Sequence, residues 1–183
     1  MKIIFFAALL TTPVAASDLT VFGFTLGEPL TLPVCTSEYY HVKTCVARSK
    51  YSDDRIIKFS EKDCPEIAHC DIYPLELDHK LMGVEFATRG VENQAAVLDA
   101  LQKKYGQPTA INNRVILTDW GVRMVAVYAT WDLPDIKISF NSANLDREKD
   151  GFVRIDLPLA YEWREKRKKD AAEHPAPPKG KQL

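Results

Sequence analysis

Hydrophobic positions alternate with polar or small ones at several places along this chain, and each alternation predicts a strand. Residues 19–27, LTVFGFTLG, carry Phe22, Phe24 and Leu26 in period two, ended by Pro29 and Pro33. They predict an opening strand. Tyr39 to Val46 and Arg55 to Ser60 predict two more, with Ser52-Asp53-Asp54 as the turn between them. Lys80 to Thr88 is a stronger strand, with Met82, Val84, Phe86 and Thr88 on one side. Four further strands are expected at Ala110–Thr118, Val122–Trp131, Asp135–Asn141 and Gly151–Leu157. Val122–Trp131 is apolar at most positions on both faces, so it is expected at the centre of a sheet.

One segment has the helical period instead. Val91, Ala95, Leu98, Leu101 and Tyr105 form a stripe that predicts a helix over about 92–104. Asp99 and Lys103 are spaced to pair, and Gly106 with Pro108 forms the stop signal. Several strands, one helix and several strands joined by short connections predict an α+β domain. One main amphipathic helix would pack on an antiparallel sheet. After Pro158, Leu159 and Trp163 are four apart and can fasten a short polar helix to about Ala172. Pro175, Pro177 and Pro178 leave the end disordered.

The first residues form another kind of pattern. Lys2 precedes the apolar run Ile3–Leu10, and Val14-Ala15-Ala16 offers the small residues a signal peptidase reads. Residues 1–16 are therefore expected to be a signal peptide. The run is about half the roughly 20 residues a membrane span needs. Ser17 stands where a lipoprotein would carry Cys. The expected product is exported: periplasmic in a Gram-negative cell, secreted otherwise. Residues 17–163 form the single domain, and 164–183 a charged helix end and basic tail.

Export changes the meaning of Cys35, Cys45, Cys64 and Cys70. Four cysteines in an oxidising compartment suggest two disulfides, with Cys35–Cys45 and Cys64–Cys70 as the local pairing. Each closure is worth roughly 2–3 kcal/mol through the unfolded state. The spacings C-x9-C and C-x5-C match no common zinc pattern.

Composition adds little until it is divided. The 183 residues hold 24 Lys/Arg and 25 Asp/Glu, a net charge of −1, and are 46% apolar. These values exclude collagen-like, coiled-coil and wholly disordered chains. They argue against a dedicated nucleic-acid binder. The body from Ser17 to Trp163 nevertheless carries a net −6 and the tail from Arg164 to Leu183 a net +4. Arg164, Lys166, Arg167, Lys168 and Lys169 could meet an anionic surface or an acidic partner. Glu162–Lys166 and Glu165–Lys169 could equally make a solvated helix face.

Catalytic patterns are sparse. There is no Gly-x-Ser-x-Gly elbow, no phosphate-binding glycine loop, no His-Glu-x-x-His and no C-x-x-C. His69 and His79, with Asp71 and Asp78, form the only acid–imidazole group, which would have to serve a metal-dependent or acid–base hydrolase. Asn144, Asp146, Glu148 and Asp150 before Gly151 resemble the front of a calcium loop, but Leu157 stands where the bidentate acid belongs. A polar hairpin loop is the simpler reading. Trp120, Trp131 and Trp163 with Tyr39 and Tyr40 could form an aromatic binding face, although core packing suits most of them better.

The segment Cys64-Pro-Glu-Ile-Ala-His-Cys70 is the most suggestive. A bridge would hold Glu66, Ile67 and His69 on a rigid protrusion, which lowers the entropic cost of binding. Over these seven residues it resembles in outline the bridged, His-bearing loop of some periplasmic lysozyme inhibitors, with a different loop length. The sequence thus points to an exported, non-enzymatic binding or accessory protein acting on a protein partner or envelope component, with no cofactor and no metal. Two alternatives stand beside it: an inhibitor of an envelope or secreted hydrolase acting through this loop, and a hydrolase built on His69 and His79.

Overall fold

The computed structural model describes residues 19–36, 43–48, 54–117, 121–144 and 150–174. The expected signal peptide, the turn at Ser52–Asp53 and the end of the tail lie outside the described residues. So do Tyr39, Tyr40 and Trp120.

The fold is α+β. Ten strands are described: β1 (Thr20–Val21), β2 (Phe24–Thr25), β3 (Cys45–Arg48), β4 (Arg55–Lys58), β5 (Asp71–Leu77), β6 (Lys80–Thr88), β7 (Ala110–Leu117), β8 (Arg123–Asp132), β9 (Lys137–Asn141) and β10 (Gly151–Asp156). The helices are α1 (Gln94–Tyr105) and α2 (Pro158–Glu173). Strands β3 to β10 make one antiparallel sheet in the order β3-β4-β5-β6-β10-β9-β8-β7, and β1–β2 is a separate hairpin. The centre is therefore β6 against β10, with Phe86 opposite Val153 and Val84 opposite Ile155.

The inner face of the sheet is the core. Phe86, Val84, Phe140, Val153 and Trp131 are almost fully buried there, together with Val97 and Leu101 from α1. Each such side chain is worth roughly 1.5–3 kcal/mol of burial. The β1–β2 hairpin covers another part, with the Phe22 ring edge-on to Phe86 at 4.9 Å.

Several expectations are corrected. The opening segment is a hairpin, not one strand. Phe22 (φ 51°) and Gly23 (φ 83°) both adopt the left-handed backbone of a tight two-residue turn, and alternation alone cannot reveal a reversal. The strand β5 is not among the expected strands, and it contains Pro74, which lacks the N–H that a ladder uses. Pairing with β4 stops at Ile72, however. The carbonyl of Cys70 accepts from Phe59 N–H, so alternate residues through Pro74 face the β4 side, where no bond is lost at Pro74. The strand β8 is second from an edge rather than central. Its other face carries a small separate cluster of Ala126 with Val91 and Ala143. The helical stripe is also shifted. A 3-10 turn at Gly90–Asn93 precedes α1, so Val97 is buried and Ala95 is exposed. In α2 the buried residue is Ala160, while Leu159 is 56% exposed.

Both expected disulfides are present, Cys35–Cys45 and Cys64–Cys70. The first fastens a covering over the β3 edge: Cys35 N–H donates to Val46 C=O and Val46 N–H to Pro33 C=O. Opening the second bridge with Cys64→Ser and Cys70→Ser should lower unfolding free energy by roughly 2 kcal/mol, the value for so short a loop. Urea titration of the double variant measures it; no change in midpoint would mean the loop is already held in the unfolded chain.

Candidate binding site

The bridged loop is built from its two ends inward. A single 3-10 turn at Glu61–Asp63 leads into it, closed by Ser60 Oγ–H donating to Asp63 Oδ2 at 2.6 Å. After Cys64, Ala68 N–H donates to Pro65 C=O at 3.1 Å and tightens the turn. At the far end, His69 N–H donates to Ala87 C=O on β6, and Cys70 C=O accepts from Phe59 N–H, both at 2.9 Å. The disulfide thus closes the loop on itself, and backbone bonds at its His69–Cys70 end tie it to Phe59 and to β6. Ala68 is buried and Ile67 packs partly against the core. Glu66 and His69 are exposed. Of the three residues singled out in the sequence, two face solvent and Ile67 anchors the loop from beneath.

The histidines of the hydrolase alternative are not brought together. His69 precedes β5 and His79 follows it, so the seven-residue strand holds them roughly 20 Å apart. Asp78 (φ 50°) and His79 (φ 64°) form the two-residue turn between β5 and β6. Asp71 is engaged by Lys58 at 3.0 Å. Among the described residues no group of three or more His, Cys, Asp and Glu is placed to hold a metal ion. At the calcium-like segment, Asn144 N–H donates to Asp150 C=O at 2.8 Å, and residues 145–149 lie outside the described residues.

The basic residues after Trp163 divide in two. Helix α2 runs through 163–164 without a break. Lys166, Arg167, Lys168 and Lys169 are exposed, with Arg167 stacked over the Trp163 ring at 4.8 Å and Lys169 3.9 Å from Glu173. Arg164 turns inward instead. Its Nε lies 3.0 Å from Asp156 Oδ2, and its Nη1 is 3.7 Å from Glu85. Arg154 completes the group, donating to Glu85 Oε2 through Nε at 2.9 Å and Nη2 at 2.6 Å.

This charged cluster between α2 and the outer face of the sheet was not anticipated from the sequence. Its members come from β6, β10 and α2: strand register sets Arg154 opposite Glu85 and Asp156 opposite Gly83, and the packing of α2 through Ala160 brings Arg164 to them. Gly83 supplies the room, since a Cβ there would lie 1.9 Å from Asp156 Oδ1. Asp156 is fully buried. Loss of water raises its pKa from 3.8 to about 6, outweighing the pull of Arg164 and Arg154. Beside it lies a groove of about 490 Å³ lined by Lys137, Ser139, Arg154, Asp156, Tyr161 and Lys168 among others. Its charges are of both signs, and Lys137 pairs with Asp132.

No protein-family model, curated protein or solved structure matches this chain. Inference about its role therefore rests on the geometry above.

Proposed function

We propose that this chain is an exported, non-enzymatic binding protein that engages a protein partner or a component of the cell envelope. The observation that carries the reading is the bridged loop, closed on itself by the disulfide and tied to the sheet at its Cys70 end, with Glu66 and His69 on its solvent side. A loop ordered before contact loses little entropy when it binds. One anion and one imidazole on such a turn suit a polar, hydrogen-bonding contact rather than a lipid surface. A hydrolase whose cleft admits this loop is the narrower form of the same idea. Export is supported by the signal-like N-terminus and by two disulfides. No helix among the described residues is long and apolar enough to cross a membrane.

Replacing Glu66 and His69 together by alanine should abolish capture of the partner from envelope extract. Both side chains are exposed, so the thermal midpoint should stay nearly unchanged. Unaltered capture by the folded double variant would overturn the loop as the contact. Inhibition assays against envelope hydrolases, run with the same pair of proteins, test the narrower form.

A further inference from the structure

The two edges of the large sheet are treated differently. At β3 the segment Pro33–Cys35 lies over the edge and exchanges backbone hydrogen bonds with Val46. At the opposite edge, β7 pairs with β8 and has no second strand among the described residues. Long bare edges are usually guarded by charged side chains, lysine above all, by proline or by a bulge. The eight residues of β7, AINNRVIL, contain no proline and a single charge, Arg114, whose guanidinium lies over the Tyr128 ring of β8, and their pairing with β8 runs without a register shift.

Strand parity identifies which groups face outward. Val127 C=O accepts from Ser142 N–H, and Val125 C=O accepts from the Gln94 side chain, so the odd residues of β8 point away from β7. The even residues of β8 point towards β7 and meet Ala110, Asn112, Arg114 and Ile116. The N–H and C=O groups of Ile111, Asn113, Val115 and Leu117 therefore aim at the open edge. Their side chains share one face, and Ile111, Val115 and Leu117 are 50%, 57% and 70% exposed.

We infer that this edge pairs with the β7 of a second copy of the chain, antiparallel and centred on Asn113, joining two sheets into one. The sequence of the strand is nearly self-complementary about that residue. Ile111 then lies beside the second copy's Val115, Ala110 beside its Ile116, Asn112 beside its Arg114, and Asn113 beside its Asn113. Apolar meets apolar and polar meets polar in every pair from Ala110 to Ile116, which a strand evolved for a foreign partner would not require, and only Leu117 at the end falls beside a polar residue, Thr109. The outward backbone groups fall into hydrogen-bonded pairs in this register, giving about six inter-chain bonds. Moving the centre to Arg114 would set the two Arg114 side chains against each other, a repulsive arrangement, and moving it to Asn112 would set Ile111 beside Asn113 and Ala110 beside Arg114.

Sedimentation analysis of the oxidised protein should show twice the chain mass at high micromolar concentration, with dissociation on dilution. Asn113→Pro removes an outward N–H that β8 does not use, and Val115→Lys places a charge in the seam. Each should raise the dimer dissociation constant by about 10-fold or more, since the proline removes two of the roughly six hydrogen bonds and the lysine sets a charge beside the second copy's Ile111. Circular dichroism should report an unchanged fold. Asn113→Cys should cross-link copy to copy, because hydrogen-bonded antiparallel pairs bring Cα atoms to about 5.5 Å. A protein monomeric at high concentration overturns the inference. So does a dimer indifferent to both β7 substitutions, or a monomer that takes up an extended foreign peptide at this edge. The binding loop is untouched by these changes, so partner capture through Glu66 and His69 is judged separately.

Discussion

Trp131→Ala should lower the unfolding free energy by about 3–5 kcal/mol, the range for deleting a large aromatic from a packed core. Trp131 is the largest of the fully buried side chains. It sits in β8 opposite Ile138 and sends Nε1–H to Gly106 C=O at 2.8 Å, the residue that ends α1. One side chain therefore packs the core and fastens the helix to the sheet. Trp131→Phe separates the two roles: most of the volume returns, and the lost donor should cost about 1–2 kcal/mol. Urea titrations of the three proteins measure both steps. A loss below about 1 kcal/mol for the alanine variant would mean that α1 is not held by this contact.

Arg164→Ala should cost about 3 kcal/mol at pH 8 and much less at pH 5, because removing one member of a buried ion pair strands the other. At pH 8 the stranded Asp156 is charged in both folded and unfolded chains, and the folded chain bears the desolvation. At pH 5 the buried carboxyl takes up a proton and the strain is relieved. The intact protein shows a related trend. Asp156 has a folded pKa near 6 against 3.8 for the free group. Between these values the folded chain holds a proton that the unfolded chain has released. The contribution of this group is thus greatest below about pH 4, declines as pH rises to about 6, and is level above that. Its size is on the order of 3 kcal/mol. Asp156→Asn should remove that decline, so the stability difference between wild type and variant, measured from pH 4 to pH 8, should change by that amount. A constant difference would mean that Asp156 does not titrate in this range.

These two sites differ in how far the sequence foretells them. Trp131 ends an apolar run and was legible as a core candidate. The Asp156–Arg164–Glu85–Arg154 cluster was not. Arg164 opens a run of basic residues and reads like its exposed neighbours, yet it is the one that meets Asp156, because α2 buries Ala160 and so aims Arg164 at the sheet. Gly83 looks unremarkable on β6 until register places it under a buried carboxylate.

By itself the sequence determined the α+β class, most of the strands, the main helix and both disulfides. Each of these depends on local periodicity, turn residues or short loop closures, which neighbours along the chain decide. It also singled out the Cys64–Cys70 loop. Tertiary structure alone decided the strand order, which moved β8 from the centre to the second place from an edge. It decided the helical phase that buries Val97 instead of Ala95, and the separation of His69 from His79 by the length of β5. Among the described residues, it alone left β7 without a second strand while covering the edge of β3. In each case the deciding quantity is which distant residue comes alongside, and that is set by packing and strand register across the whole sheet.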